Sequence, residues 1–353
     1  MPNATAPRQA DAVPAFVGHS DYLPALAGYD VKSPLMGRPP CTTRLSAEAS
    51  LPRTEPFIGG FFEVFVPPVE PGRFVRTDEG FSVDYPPPLD QAYALDRTIA
   101  GTRALLDLTS ATGTRVRLVR SVGEIESARE AGEIAAVLHL GDADAIDAEL
   151  GALHVLHAAG LRSLAVTWSR QNPFGYGAPY RFPGSPDIGP GLTAAGKALV
   201  QACNRLGIVV DLAHLNEAGF RDVANISSAP LVVSHGAAHA LFPSTRAATD
   251  EQLGMIAASG GLIGVSSEGI SSTPAGMVED TVAHIRHIAD RVGIDHVAFG
   301  SDLYRSPAAG NPDGSLLLTS VQRRLAEEGW DGDMLARVAW GNWRRVLLAT
   351  WGS

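Results

Sequence analysis

Imidazole and carboxylate side chains collect at the ends of apolar runs in this chain. Gly18-His19-Ser20-Asp21 follows the run at 15–17, Asp211-Leu212-Ala213-His214 closes the run at 208–212, Ser234-His235 closes 231–234, and Gly300-Ser301-Asp302 closes 296–300. Zinc and similar divalent ions prefer these ligand types, and a His-x-Asp step turns both side chains to one side as the backbone leaves a strand. A lone histidine at a strand end is more often a hydrogen-bonded structural group. The coincidence of His19, Asp21, His214, His235 and Asp302 at four such ends points instead to one metal centre. The other histidines take the ordinary reading. His154 and His157, like His284 and His287, are spaced for one face of a helix and are expected in solvent; His296 begins a strand, and His239 is expected in the helix after its strand.

The elements that must position these groups alternate. Apolar, β-branched runs at 15–17, 61–66, 115–119, 135–140, 163–167, 208–212, 231–234, 262–266 and 296–300 read as strands, and the segments 147–159, 194–206, 250–259 and 278–292 carry helical periodicity. Strand–helix alternation predicts an α/β fold with a parallel sheet, and nine runs suit a (β/α)8 TIM barrel with one accessory strand. An open doubly wound sheet is the alternative, but no Gly-x-Gly-x-x-Gly follows an early strand and no Gly-Lys-Ser/Thr loop is present. Residues 31–90 hold 11 of the 25 prolines and read as a Pro-rich N-terminal insertion. The expected organisation is a flexible tail over residues 1–11 and a single barrel domain over 12–353. In such a barrel the strand ends just described share one face, where chemistry gathers.

Composition narrows the partners. The 353 residues carry 28 Lys plus Arg against 38 Asp plus Glu, a net charge of −10, which disfavours nucleic acid. Hydrophobic residues make up 45% of the chain, yet no run reaches membrane-spanning length, and Pro and Asp interrupt the first residues where a signal peptide needs an apolar core. Two distant cysteines, Cys41 and Cys203, form no disulfide framework, so a soluble cytoplasmic protein is expected.

The motifs GHSDYLPAL, GLTAAGKALVQACNRLGIVVDLAHL, PLVVSH, DEQLGMIAASGGLIGV, VGIDHVAFGSD and GNWRRVLLATW, in this order, resemble the renal (membrane) dipeptidase family of binuclear zinc peptidases. The resemblance implies that His19 and Asp21 ligate one metal, that His214 and His235 ligate the other, and that Asp302 binds metal and handles the catalytic proton. It also implies that Arg246 holds the substrate's terminal carboxylate, and it suggests a homodimer.

The chain departs from that pattern at named positions. Where the family has a metal-bridging glutamate followed by glycine, this chain reads Gly141-Asp142. Asp142 is the candidate replacement carboxylate, although a one-residue offset in a strand reverses side-chain direction; His139, on the face of the lost glutamate, is the other candidate, and helix capping is the ordinary alternative for Asp142. Trp168, in Thr167-Trp168-Ser169-Arg170-Gln171-Asn172, stands where some members carry a carbonyl-polarising histidine, and Asp302-Leu303-Tyr304-Arg305 keeps only the first acid of the usual Asp-Phe-Asp-Gly. The long loop 169–191, rich in Gly, Pro and aromatics, reads as a lid or pocket wall, with Trp168, Asn172, Tyr176, Tyr180 and Arg181 as candidate substrate contacts.

The expected activity is hydrolysis of a dipeptide or similar small amide by a water activated on one or two Zn2+ ions, the second ion being the one that Gly141 puts in question. The alternatives are a one-metal or metal-free homologue acting as hydrolase or lyase on an amino-acid-derived metabolite, and a non-catalytic binding protein. A serine hydrolase is the weaker rival: Gly18-His19-Ser20-Asp21-Tyr22 lacks the second glycine of a nucleophile elbow.

Overall fold

The segment Ile134–Leu140, IAAVLHL, is buried on both faces for almost its whole length, the signature of a strand inside a helix-covered parallel sheet. Its neighbours follow suit. In the computed structural model, which describes residues 15–20, 57–66, 69, 73–85, 88–266, 276–300 and 315–352, eight parallel strands lie side by side in chain order. They are β1 (Ala15–Ser20), β2 (Phe57–Val64), β6 (Ile134–Leu140), β7 (Leu161–Ala165), β9 (Val209–Asp211), β10 (Val232–Gly236), β11 (Leu262–Val265) and β12 (Val297–Phe299). A ninth, β5 (Val116–Leu118), pairs with β6 off this path and is the accessory strand that the sequence predicts. The sheet curls until β1 lies against β10 and β12. The result is a mixed α/β fold on a barrel-like parallel sheet.

The concave interior is built in layers. Phe61, Val137, Val209, Val232, Leu262 and Ala298, from six strands, form one cluster with the fully buried Trp343 of the helix Asn342–Trp351. One step further along the strands the interior turns polar. His139 lies opposite Glu63 in the β2–β6 register, stacks on Phe61 with ring centroids 5.3 Å apart, and reaches Ser163 Oγ on β7 at 2.9 Å. Its Nε2 stands 3.8 Å from the Asp211 carboxylate on β9, two strands away, a reach possible only across a concave face.

All nine predicted strands are present, with ends shifted by a few residues. What patterning missed is a second, three-stranded antiparallel sheet of β3 (Arg73–Thr77), β4 (Gly80–Asp84) and β8 (Arg181–Phe182). Two of its strands fall in the segment 31–90, read as loop, and the third in the long loop. Its strands are short and polar on one face, and β8 has only two residues, too few to establish a period. The predicted tail, residues 1–11, lies outside the described residues, as does most of the proline-rich stretch.

The predicted helices form with local reasons for their ends. Thr193 accepts from Gly196 N at 3.0 Å to start Ala194–Leu206, and Gly207, with φ of 64°, ends it in the left-handed region. Asp147, expected inside a helix, instead caps Gly151–Ala159 by accepting from Gly151 N and Ala152 N at 2.9 and 2.7 Å. Two histidine expectations are corrected. His284 is only 2% exposed and accepts from Ala238 N, because its helix packs that face inward; His239 sits in a turn rather than a helix, bonded to Gly184 O.

Candidate active site

The Nε2 atoms of His214 and His235 lie 2.9 Å apart. Two imidazoles bound to one tetrahedral zinc through bonds of about 2.0–2.1 Å hold these atoms roughly 3.3 Å apart, so the pair is already close to a shared-ion arrangement. Each ring is held from behind. Ser169 Oγ lies 2.8 Å from His214 Nδ1, and Ser234 Oγ lies 2.9 Å from His235 Nδ1. Ser234 donates its single hydroxyl hydrogen to Asp211, so it accepts from His235 Nδ1–H and leaves the Nε2 lone pair facing the site. Asp211 is in turn fixed by Ala213 N at 3.0 Å and Ser234 N at 2.9 Å. His214 has φ of 70°, a left-handed conformation rare outside glycine, and Ala178 N clamps its carbonyl at 2.6 Å.

Arg246 arrives from the loop after β10. Its Nη2 donates to His235 Nε2 at 3.2 Å and its Nη1 to Ser169 Oγ at 3.4 Å, so a fork of N–H donors borders the histidine pair. The Trp168 indole tilts over His214 at 5.7 Å and is itself packed against Phe65 at 5.0 Å and Tyr85 at 4.6 Å. Beside them opens a cavity of about 450 Å³, lined among others by Tyr85, Ser169, Arg170, Tyr180 and Arg181. Ser169 belongs to both the cavity wall and the His214 support, which connects the two.

Other candidates occupy less direct positions. Asn172 is buried and spent on the loop itself: its amide donates to Val166 O, and its oxygen accepts from Phe174 N and Gly175 N. Tyr176 packs beside Gly189 and offers its carbonyl to Asn216 N. Tyr180 stacks on Phe81 at 5.3 Å, joining the loop to the small sheet. Gly177 is required where it is, because any side chain would strike the Trp168 carbonyl.

Asp142 points to Arg170. Its Oδ2 accepts from Arg170 Nη2 at 2.9 Å, Asp144 accepts from the same nitrogen at 2.5 Å, and Asp144 N donates to Asp142 Oδ1. Burial, and for Asp142 the neighbouring Asp144 charge, push both carboxyls above their usual range, while Arg170 pulls them down. His139 is likewise committed to Ser163 and Asp211 inside the barrel. Both candidates thus have partners of their own within the described structure.

Among the described residues no group of three His, Cys, Asp or Glu side chains is assembled for a metal ion. The pair His214–His235 is the described part of the predicted centre. Asp21, Asp302 and the side chain of His19 lie outside the described residues. The donor set present, two convergent and pre-oriented imidazole nitrogens, fits a zinc-type ion. Sequence reasoning missed Ser169, Ser234 and Asp211 as supports of the two rings. The one signal was an acid ending the apolar run IVVD.

A family model described as membrane dipeptidase (peptidase family M19) matches residues 42–350. The chain belongs to this family. The match takes in every candidate site residue except His19 and Asp21, which precede it. A crystal structure of a metallo peptidase from Rhodobacter sphaeroides, liganded with a phosphinate mimic of the dipeptide L-Ala-D-Ala, superposes with a TM-score of 0.82 at 36% identity, covering 97% of this chain and 100% of the other. A protein of the pqqA 5′ region of Klebsiella pneumoniae, described as uncharacterised, is 38% identical over 256 residues, 70% of this chain and 93% of that one. The dipeptidase aclJ of Aspergillus oryzae is 31% identical over 223 residues, 61% of this chain and 51% of that one. As a membrane dipeptidase family member the chain is a hydrolase enzyme, and the family relation supports dipeptide hydrolysis in general. No helix among the described residues is long and apolar enough to cross a membrane.

Proposed function

We propose that this protein is a zinc-dependent dipeptidase that hydrolyses a dipeptide or dipeptide-like amide bearing a free carboxylate. The observation that carries the reading is the convergence of His214 and His235 Nε2 at 2.9 Å with the Arg246 guanidinium beside them. Zinc, when bound, supplies Lewis acidity that lowers the pKa of a nucleophilic water and polarises the scissile carbonyl. His214 and His235 would hold one ion, and His19 with Asp21 the other. Ser169 and Ser234, with Asp211 behind the latter, keep the two described rings aimed. Arg246 pairs with the substrate carboxylate and thereby limits substrate length. Asp302 takes the proton from the attacking water and delivers it to the leaving amine. Trp168 walls the pocket next to His214, and Tyr180 with Arg181 lines the approach cavity. Asp142 belongs, on this reading, to the Arg170 ion cluster that stiffens the wall, and Asn172 and Tyr176 to the loop framework. A cytoplasmic homodimer is the assembly that the composition and the family resemblance favour.

The test is a panel of L,L- and L,D-dipeptides, with a tripeptide and an amidated dipeptide as controls, assayed before and after chelation and zinc return. Hydrolysis of free dipeptides alone, lost on chelation and regained with zinc, supports the reading. Activity unaffected by metal depletion, or equal cleavage of the amidated control, overturns it. A chain that binds zinc but cleaves no dipeptide favours the divergent-metabolite alternative, for which Gly141 is the motivating departure.

A further inference from the structure

Position 141 lacks a side chain, yet the space its side chain would fill is taken. A carbon built at Cβ of Gly141 would fall 3.0 Å from Glu63 Cδ and 3.2 Å from Glu63 Cγ, with Oε1 nearer still. Glu63 sits near the end of β2 and is 5% exposed. It lies directly opposite His139 in the parallel register, two residues beyond Phe61, whose ring stacks on His139. By strand alternation Phe61 and Glu63 share the concave face of β2, as His139 and Gly141 share that of β6. The Glu63 carboxylate therefore projects into the interior beside the Gly141 backbone, one layer above the apolar cluster.

We infer that Glu63 supplies, from the neighbouring strand, the metal-binding carboxylate that position 141 does not carry. This rests on the metal-dependent reading above. Adjacent parallel strands lie about 4.8 Å apart, a gap that a glutamate side chain crosses and an aspartate falls short of. Gly141 is the complement of this arrangement, because any larger residue there collides with Glu63. The position also stands close to the end of β1, because Ser20, the last residue of that strand, pairs with Phe62. In the sheet β2 lies between β1 and β6, so a carboxylate on β2 stands between those two strands. With metal bound, such a carboxylate would offset the mutual repulsion of two divalent ions, whereas the Asp142 carboxylate is paired with Arg170.

The experiment uses the full chain in five forms: natural, Glu63→Gln, Glu63→Ala, Gly141→Glu, and Glu63→Ala combined with Gly141→Glu. Each is stripped with chelator, returned to zinc, desalted and analysed for zinc per chain, with affinity read by competition against a chromogenic chelator and folding by circular dichroism and melting. The natural chain is expected to hold about two ions. Glu63→Gln, nearly isosteric, should stay folded while losing about one ion or more than roughly tenfold in affinity for it. Gly141→Glu alone should melt earlier than the natural chain, and the double variant should regain the ion that Glu63→Ala loses. A purely structural glutamate would show no such rescue. Zinc content and affinity of Glu63→Gln equal to natural, or a double variant no better than Glu63→Ala, overturns the assignment to Glu63 while leaving the dipeptidase reading intact. A natural chain that takes up no zinc overturns both.

Discussion

Ser234 Oγ stands 2.9 Å from His235 Nδ1 and donates its own hydrogen to Asp211, so one hydroxyl sets the tautomer of the imidazole next to it in sequence. Ser234→Ala removes that relay without touching Nε2. Outer partners of metal-bound histidines typically contribute 10–100-fold in metal affinity. The variant is expected to weaken zinc binding by about that factor, and the unpaired Asp211 and His235 atoms should cost about 1–3 kcal/mol of stability. Competition titration and urea unfolding check the two numbers separately; unchanged zinc affinity would remove Ser234 from the site.

Arg246 borders the histidine pair and offers a planar fork of donors. Arg246→Ala is expected to raise KM for free dipeptides by roughly 10–100-fold, the equivalent of a charge-assisted hydrogen bond or two, with a smaller effect on kcat. Steady-state kinetics on a dipeptide and its C-terminal amide check this. A loss that is the same for both substrates would assign Arg246 to the support of Ser169 and His235 instead.

Arg170 shares one nitrogen between the buried Asp142 and Asp144. Asp142→Asn should keep zinc content and hold kcat/KM within about threefold, since its carboxylate serves Arg170, whereas Arg170→Met should destabilise by about 3–5 kcal/mol by leaving two buried acids without a counter-charge. The pH sign is definite. Both carboxyls titrate above their ordinary range in the folded chain, so their contribution is complete below the ordinary carboxylate pKa and declines as pH rises through the raised folded values. Unfolding curves of natural and Asp142→Asn protein from pH 4 to 8 read this difference; a large drop in zinc with Asp142→Asn would return that residue to the metal centre.

His284, 2% exposed, accepts from Ala238 N and is pushed down to about 4 by burial. A histidine held neutral in the fold contributes stability that is whole above its ordinary pKa and is lost as pH falls through the folded value. The expected loss is on the order of 3 kcal/mol between pH 6.5 and 4. His284→Gln should be less stable at pH 7 but show a flatter acid limb, measured by urea unfolding across that range. An identical limb in both proteins would place the acid sensitivity elsewhere.

The strands were legible because each is an apolar run bounded by polar residues, and the meeting of His214 and His235 could be expected because each closes such a run. The supports were harder to see. Ser169 and Ser234 are ordinary loop and strand-end residues until folding brings them behind a ring, and a hydroxyl has no periodic signature. The Arg170 partnership of Asp142 was not legible, because a one-residue offset at a strand end leaves side-chain direction open until the backbone is known. Glu63 escaped notice because its meaning depends on register with a strand more than seventy positions later. The small sheet went unread because its three strands come from distant stretches and are short.

That ribbon bears on the cavity as well. Phe74, Phe81, Tyr180, Phe182 and Phe242 stack in a continuous aromatic column that fastens the hairpin and the long loop together above the barrel rim. Ser82, Val83, Tyr180 and Arg181 from these segments line the cavity, so one of its walls hangs on ring stacking between short pieces of chain and belongs to a sheet separate from the one that positions the histidines.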